Sequence, residues 1–263
     1  MRAESPSGEQ PLERIRRLLR GNALDMEFQP IFDLAQGQVV GVEALARFRM
    51  QPLRSPDAWF REAAAVGLGA DVELAAVRRA LDALPHIPAD AFLSLNASPA
   101  TVCTQAFFET LVTRAAGRIV VEVKEAALVR NETVHAAFNG LRESGMRLAV
   151  DDVRNDGQSF AEILRMGPNF VKLDLSLCRY VDLDLARYEL VREVVEQAWN
   201  GGAEVIAEGI QSKSELGALR KLGVRLGQGY YLALPGRLPI RTTGAFAEAM
   251  TVHVPEPAVR RSA

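Results

Sequence analysis

The chain has few cysteines and histidines and no long apolar run. Its 263 residues include two cysteines, Cys103 and Cys178, and three histidines. Neither cysteine lies in a CxxC or similar metal-binding spacing, so we expect two free thiols in a reducing compartment. No apolar run reaches the roughly 18 residues of a membrane-spanning helix, and the polar start MRAESPSGEQ lacks a signal-peptide core. We therefore expect a soluble, cytoplasmic protein with no membrane partner.

The chain also lacks an excess of charge of either sign. It has 31 basic and 33 acidic residues, a formal net charge of −2. This balance provides no electrostatic attraction for duplex DNA, so no DNA partner is expected. A small phosphate ligand held by a few local charges remains compatible with it.

The two ends of the chain differ in composition from the region between them. Residues 1–9 are polar and contain Pro6 and Gly8, which predicts a disordered tail. Residues 251–263 contain two prolines and predict a second tail. No low-complexity linker interrupts residues 10–250, where we expect one domain. The hydrophobic content of 48% is sufficient for a sizeable core.

Short strand-like runs alternate with helical stretches after an opening hairpin. Residues 11–20 have helical spacing of apolar positions, and the runs MEFQPIFDL and QVVGVEALARF flank Ala35-Gln36-Gly37 as two hairpin strands. Six further strand-like runs lie at residues 92–96, 119–123, 147–152, 170–174, 204–208 and 224–228.

Strand–helix alternation of this kind predicts parallel strands joined by helical crossovers. Six such strands and the hairpin make eight, the number that closes a barrel filled by side chains. We therefore predict an α/β fold, a TIM-like (β/α)8 barrel with an antiparallel first strand. An open doubly wound sheet is the alternative, and no GxGxxG motif after the first strand supports it.

Polar residues stand at the strand ends: Glu43, Asn96, Glu122, Asp151, Asp152, Lys172, Asp174, Glu208 and Gln228. Each alone is more commonly a surface or helix-capping residue. In a parallel barrel, however, these ends meet at the face where barrel enzymes place their sites. Close carboxylates repel one another, and oxygen ligands suit Mg²⁺ or Mn²⁺ better than zinc. Two adjacent aspartates could serve two ions, an arrangement that recurs in phosphodiester hydrolysis.

An ordered series of short motifs runs along the chain. The first is Glu43-Ala44-Leu45-Ala46-Arg47, preceded by Phe28-Gln29-Pro30-Ile31. The later motifs are Leu95-Asn96-Ala97-Ser98, Val121-Glu122-Val123-Lys124-Glu125, Asp151-Asp152, Val171-Lys172-Leu173-Asp174, Ala207-Glu208-Gly209-Ile210 and Gln228-Gly229-Tyr230. From about residue 12 to 239, the series resembles the EAL domains, the bacterial cyclic-di-GMP phosphodiesterases, whose signature is Glu-Ala-Leu-x-Arg.

The resemblance implies hydrolysis of cyclic-di-GMP to the linear dinucleotide pGpG with one or two Mg²⁺ or Mn²⁺ ions. Lys172 would position or help deprotonate the attacking water, and Glu208 would act at the metal site or as a base. The implied metal ligands are Glu43, Asn96, Glu122, Asp151 and Asp152. The implied substrate contacts are Gln29, Leu45, Arg47 and Gln228. A homodimer and a regulatory protein partner are further expectations.

The segment after the paired aspartates departs from the family pattern Phe-Gly-Thr-Gly-Tyr-Ser-Ser. It reads Val153-Arg154-Asn155-Asp156-Gly157-Gln158-Ser159, and because glycines permit unusual backbone angles, we expect a different loop path. Glu125, the implied anchor of this loop, is retained, whereas Lys124 stands where the family has threonine and Gln211 where it has a carboxylate.

Three alternatives to the phosphodiesterase remain open. One, suggested by the altered loop, is a catalytically weak or inactive cyclic-di-GMP receptor that signals through a protein partner. Another is a protein-interaction module that has lost the ligand. The last is a barrel enzyme with another substrate; glycoside hydrolysis, which also uses paired carboxylates, is disfavoured by the 6% aromatic content.

Overall fold

The structure, a computed structural model, describes residues 9–114, 116–125, 128, 132–154, 158–241 and 246. The predicted tails therefore lie outside the described residues, apart from Glu9, and the limits of the single domain remain a prediction. Residues 155–157 of the altered loop also lie outside them.

Eight strands close into a barrel in chain order. Strand β1 pairs antiparallel with both β2 and β8, and each of the other neighbouring pairs is parallel. This confirms the TIM-like barrel with an antiparallel first strand and excludes the open sheet. The strands are β1 (Leu24–Asp33), β2 (Val39–Phe48), β3 (Phe92–Asn96), β4 (Ile119–Lys124), β5 (Arg147–Val153), β6 (Phe170–Leu173), β7 (Glu204–Ala207) and β8 (Leu226–Gly227).

Helices connect the strands and pack around the barrel. Helix α1 buries Ile15 and Leu18, as its apolar spacing predicts. None of the described helices combines the length and apolar character needed to cross a membrane. The helices are α1 (Pro11–Arg20), α2 (Pro56–Ala65), α3 (Gly69–Leu81), α4 (Pro99–Val102), α5 (Gln105–Val112), α6 (Glu132–Glu143), α7 (Gln158–Arg165), α8 (Leu175–Cys178), α9 (Leu185–Asn200) and α10 (Lys213–Lys221), with 3₁₀ turns at Leu84–His86 and Ala116–Arg118.

The turn between β1 and β2 fixes the register of the opening hairpin. Asp33 Oδ1 accepts hydrogen bonds of 2.9 Å from the backbone N–H groups of Ala35 and Gln36. Gly37 follows with a φ of 69°, a left-handed conformation that glycine adopts without a Cβ penalty. The resulting register places Gln29 opposite Glu43.

Apolar side chains pack against one another in the lower interior of the barrel and form its floor. Two of them, Phe92 and Phe170, stack with ring centroids 5.2 Å apart. Gly41 leaves room for Phe92, because a Cβ at position 41 would lie 2.4 Å from that ring. We call this set the barrel floor: Ile31, Phe92, Val120, Ala149, Phe170, Ile206 and Leu226.

The polar residues lie one step above the floor. Side chains two residues apart on a strand point the same way, so a step of two from each floor residue, and from Gly41, stays inside the barrel. On β2–β8 this is the residue two positions later in the chain, and on antiparallel β1 it is the residue two positions earlier. We call the residues that it reaches the polar layer: Gln29, Glu43, Ser94, Glu122, Asp151, Lys172, Glu208 and Gln228.

Candidate active site at the barrel mouth

Lys172 lies at the centre of the polar layer, with 1% of its side chain exposed. Its Nζ lies 2.8 Å from Glu122 Oε2 and from Glu208 Oε1, 3.2 Å from Glu43 Oε2 and 3.5 Å from Asp151 Oδ1. One ammonium therefore faces four carboxylates. Because it cannot neutralise all four, the site has to take up protons or bind another cation.

The pKa values of two of these carboxyls are raised toward neutral pH. Burial raises the pKa of Glu122 to about 8, and the neighbouring charges of Glu43 and Asp151 oppose the stabilisation that Lys172 provides. Burial likewise raises the pKa of Glu208 to about 7, again against the effect of Lys172. A cation that binds these oxygens would have to displace protons from them.

Glu43 and Lys172 shift in the direction that keeps both of them charged. Burial alone would raise the pKa of Glu43, but the Lys172 charge and hydrogen bonds from Gln228 and Asn96 outweigh it and lower that pKa. Burial alone would lower the pKa of Lys172, but the surrounding carboxylates raise it well above its ordinary value. The centre of the site is thus an ion pair between these two residues.

Amide and hydroxyl groups fix the carboxylates in place. Asn96 Nδ2 donates to Glu43 Oε1 at 2.8 Å, and Gln228 Nε2 donates to Glu43 Oε2 at 2.7 Å and to Glu208 Oε1 at 3.0 Å. The hydroxyl of Ser94, which is fully buried, donates to Glu122. Sequence reasoning missed Ser94, although its position two residues before Asn96 places it on the same side of β3.

The donor set is suited to a divalent cation with oxygen ligands. Asp151 Oδ1 is buried and accepts no hydrogen bond from any described residue. One oxygen each of Asp151, Asp152 and Glu208 lies within 4.8 Å of the others. The carboxylates and the Asn96 amide at this mouth are the hard oxygen ligands that Mg²⁺ and Mn²⁺ prefer. The residues present therefore fit such an ion.

The side chain of Asp152 differs in orientation from that of Asp151 and lies above the polar layer. The β5–β6 register shifts between Val150 and Val153, and Asp152 has a φ of 60°. Its Oδ2 accepts a hydrogen bond of 2.6 Å from Lys124 Nζ, a side chain that is 69% exposed. Lys124 stands two residues after Glu122 on β4, and its contact with Asp152 was not predicted from the sequence.

A cavity of about 490 Å³ opens over one side of the polar layer. Leu45 and Arg47 line it together with Glu43 and Asn96. Arg47 Nε donates to Glu27 Oε2 at 2.7 Å, so a neighbouring carboxylate orients this guanidinium. Glu27 is a contact that the motif series did not indicate.

The remaining predicted residues lie at the edges of this arrangement. Gln29 and Gln228 are both buried within the polar layer. Glu125 Oε2 accepts a hydrogen bond of 3.3 Å from the backbone N–H of Arg154, at the start of the altered loop. Asp174, another of the predicted strand-end residues, makes a local contact. Its carboxylate caps α8 by accepting from the Ser176 backbone N–H at 2.9 Å, because the chain turns into a helix directly after β6.

The fold and the site together define a (β/α)8-type barrel protein with a carboxylate-rich mouth. The model of the EAL domain family matches residues 12–235, and the chain belongs to this family.

Three similar proteins illustrate the relationship. The chain is 28% identical over 250 residues to the cyclic di-GMP phosphodiesterase NbdA of Pseudomonas aeruginosa, covering 90% of this chain and 32% of that protein. The Xanthomonas citri FimX EAL domain, solved in complex with c-diGMP, superposes with a TM-score of 0.80 at 19% identity, covering 89% of this chain and 96% of that one. Klebsiella pneumoniae BlrP1, solved as a manganese/cy-diGMP complex, superposes with a TM-score of 0.74 at 25% identity, covering 83% and 57%.

The chain spans about a third of the length of the first curated relatives that it matches. The similarity therefore concerns the barrel domain, and what the longer relatives do as whole proteins is a separate matter.

Proposed function

We propose that the chain hydrolyses cyclic-di-GMP to the linear dinucleotide pGpG with Mg²⁺ or Mn²⁺. The observation that carries this proposal is the polar layer, in which Lys172 contacts four carboxylates beneath a cavity of about 490 Å³. The names of the relatives support the substrate: NbdA is a cyclic di-GMP phosphodiesterase, and BlrP1 was solved with manganese and the same dinucleotide.

The carboxylates and the Asn96 amide at the barrel mouth would bind the cations. Glu43, Asn96, Glu122 and Asp151 would hold one ion, and Asp152 would contribute to a second. When bound, such cations lower the pKa of water and stabilise negative charge on a phosphoryl group. Gln228 and Asn96 keep the Glu43 carboxylate oriented through their hydrogen bonds. Orientation matters because a displaced ligand loses the geometry that the ion requires.

The residues proposed to position the attacking water and to accept its proton are Lys172 and Glu208. A general base works best with a pKa near the working pH, and the Glu208 pKa of about 7 meets this condition. Lys172, whose pKa lies well above its ordinary value, keeps its proton in the metal-free protein. We therefore assign to Lys172 the positioning of the attacking water and to Glu208 the acceptance of its proton.

The residues proposed to bind the substrate are Gln29, Leu45, Arg47 and Gln228. Leu45 and Arg47 line the cavity directly, and Glu27 presents the Arg47 guanidinium. A planar guanidinium can bind two phosphate oxygens at once. Glu125 would anchor the loop that follows Asp152, through its contact with the Arg154 backbone. A homodimer and a regulatory protein partner remain proposals.

Arg47→Ala is expected to weaken binding of cyclic-di-GMP by about 10- to 100-fold, because charge-assisted hydrogen bonds to a phosphate are lost. Isothermal titration in Ca²⁺, chosen to limit turnover, measures this change. Arg225→Ala is the matched control: that arginine, before β8, has a 58% exposed side chain and pairs with Glu204 at the opposite end of the barrel. Equal affinity in wild type and Arg47→Ala would remove Arg47 from the phosphate site.

The apparent affinity for Mn²⁺ is expected to rise with pH between about 6 and 8, by up to about tenfold per unit for each displaced proton. Glu122 and Glu208, with pKa values of about 8 and 7, are protonated at the acid end, where protons compete with the ion. Titration in two buffers with different ionisation enthalpies counts the released protons. A pH-independent affinity without proton release would contradict the proton-loaded site.

The function itself is tested by incubating the purified protein with cyclic-di-GMP and Mg²⁺ or Mn²⁺, with product separation by chromatography. Conversion to pGpG that ceases with a chelator supports the proposal. Tight binding in Ca²⁺ without conversion in any metal would instead identify a cyclic-di-GMP receptor. Neither binding nor conversion would exclude both and leave the protein-interaction module or a barrel enzyme with another substrate.

A further inference from the structure

Lys124 brings an exposed ammonium to the mouth of the barrel. It follows Glu122 by two residues on β4, so its side chain starts from an interior-facing position one step above the polar layer. It lines the cavity, and its Nζ lies 2.6 Å from Asp152 Oδ2. Lys172 contacts the lower carboxylates, whereas Lys124 contacts the upper one.

We propose that Lys124 competes with a divalent cation for Asp152 and so weakens binding of a second ion at this site. This inference rests on the proposed metal-dependent function. The carboxylate oxygens of Asp151, Asp152 and Glu208 lie within 4.8 Å of one another, and the buried Asp151 Oδ1 accepts no hydrogen bond from the described residues. Asp152 belongs to this oxygen set, but its carboxylate already neutralises an ammonium.

The competition follows from charge and distance. A divalent ion at Asp152 would stand within a few ångströms of the Lys124 ammonium and be repelled by it. Lys124 is 69% exposed and can move away into solvent, so the repulsion weakens binding without abolishing it. Glu43 and Glu122 lie deeper, at the Lys172 level, and an ion held there is affected less. Lys124 therefore weakens binding of the second ion more than binding of the first.

The consequence concerns the concentration of metal at which the site fills. With the upper position occupied by lysine, the second ion binds only when divalent metal is abundant. Lys124 thus lowers the affinity of the second metal position; it acts through Asp152 and contacts no reacting atom.

Mn²⁺ titration, followed by the electron paramagnetic resonance signal of the free ion, tests this inference in the full chain. In Lys124→Met, the second dissociation constant is expected to fall by about tenfold, because the competing charge is gone while the side-chain length is kept. The first constant is expected to change less than about twofold. Lys124→Arg, which retains the charge, is expected to behave like wild type.

Lys221→Met serves as the matched control, because Lys221 ends α10 at the far side of the barrel and its loss changes net charge equally. An unchanged second constant in Lys124→Met, or an equal gain in Lys221→Met, overturns the competition while the metal-dependent function stands. No Mn²⁺ binding in wild type or any variant overturns the metal-dependent function and this inference with it.

Discussion

Glu43→Gln is expected to lower the turnover of cyclic-di-GMP by at least about 1000-fold, because a neutral amide replaces a cation-binding carboxylate. Glu43 keeps its negative charge although it is buried, since Lys172, Gln228 and Asn96 all donate to it. The amide of glutamine would also direct N–H groups at some of these donors. The measurement is steady-state hydrolysis at saturating Mn²⁺, with Mn²⁺ affinity determined in parallel.

Glu204→Gln is the matched control for Glu43→Gln. Glu204 begins β7 at the end of the barrel opposite the mouth, and its side chain is 39% exposed. We expect it to retain wild-type turnover. If Glu43→Gln unfolds at a similar temperature to wild type and also keeps its turnover, Glu43 has no place in the mechanism. Thermal unfolding of each variant separates this outcome from loss of the fold.

Lys172→Met is expected to lower the free energy of unfolding of the metal-free protein by about 3–5 kcal/mol at pH 8, because buried carboxylates lose their paired cation. The lysine side chain is 1% exposed and contacts four carboxylates, so solvent cannot replace it. Mn²⁺ is expected to restore part of the lost stability, since a ligand that binds only the folded state stabilises it. Urea unfolding with and without Mn²⁺ measures both effects.

The destabilisation by Lys172→Met should also depend on pH. Glu122 and Glu208 already have pKa values raised by burial, to about 8 and 7, and loss of the lysine raises them further. The folded variant then binds more protons than the unfolded chain, so its free energy of unfolding falls as pH rises toward 8. Lys221→Met, with the same loss of charge at an exposed site, should show no such pH dependence. Equal losses at pH 6 and pH 8 would contradict the proposed charge balance.

The expected effects of Glu43→Gln and Lys172→Met show that cation binding and folding stability place opposite requirements on the same cluster of residues. A buried cluster with one lysine and four carboxylates has a negative excess that disfavours folding and favours cation binding. The apolar floor of the barrel supplies the packing that tolerates this excess. The proposed function of this site therefore comes at some cost in the stability of the metal-free protein.

Much of the fold was predictable from local pattern. The six later strand runs and the opening hairpin match the strands of the barrel, apart from the ends. The run at 224–228 contains the shortest strand, Leu226–Gly227, which joins parallel β7 to antiparallel β1. This closure of the barrel depends on the positions of both β7 and β1. The apolar periodicity within residues 224–228 therefore does not reveal it.

Much of the candidate site, like much of the fold, was predictable from the sequence. Strand ends in a parallel barrel share one face, so polar residues at successive ends had to come close to one another. The motif series then indicated which of them to consider together. Ser94 and Glu27 escaped this reasoning, because neither stands at a strand end or within the quoted motifs, although strand alternation places Ser94 on the same side of β3 as Asn96.

The sequence by itself determined the barrel, the face on which the polar residues gather and the kind of ligand atoms that they offer. The tertiary structure decided which of them meet. It directed Asp174 to a helix cap, turned Asp152 toward Lys124 through a register shift and a positive φ, and set Lys172 among four carboxylates from other strands. The physical reason is that periodicity is a local property of one strand. Contacts between strands depend on register and barrel closure, which residues far apart in the chain fix together.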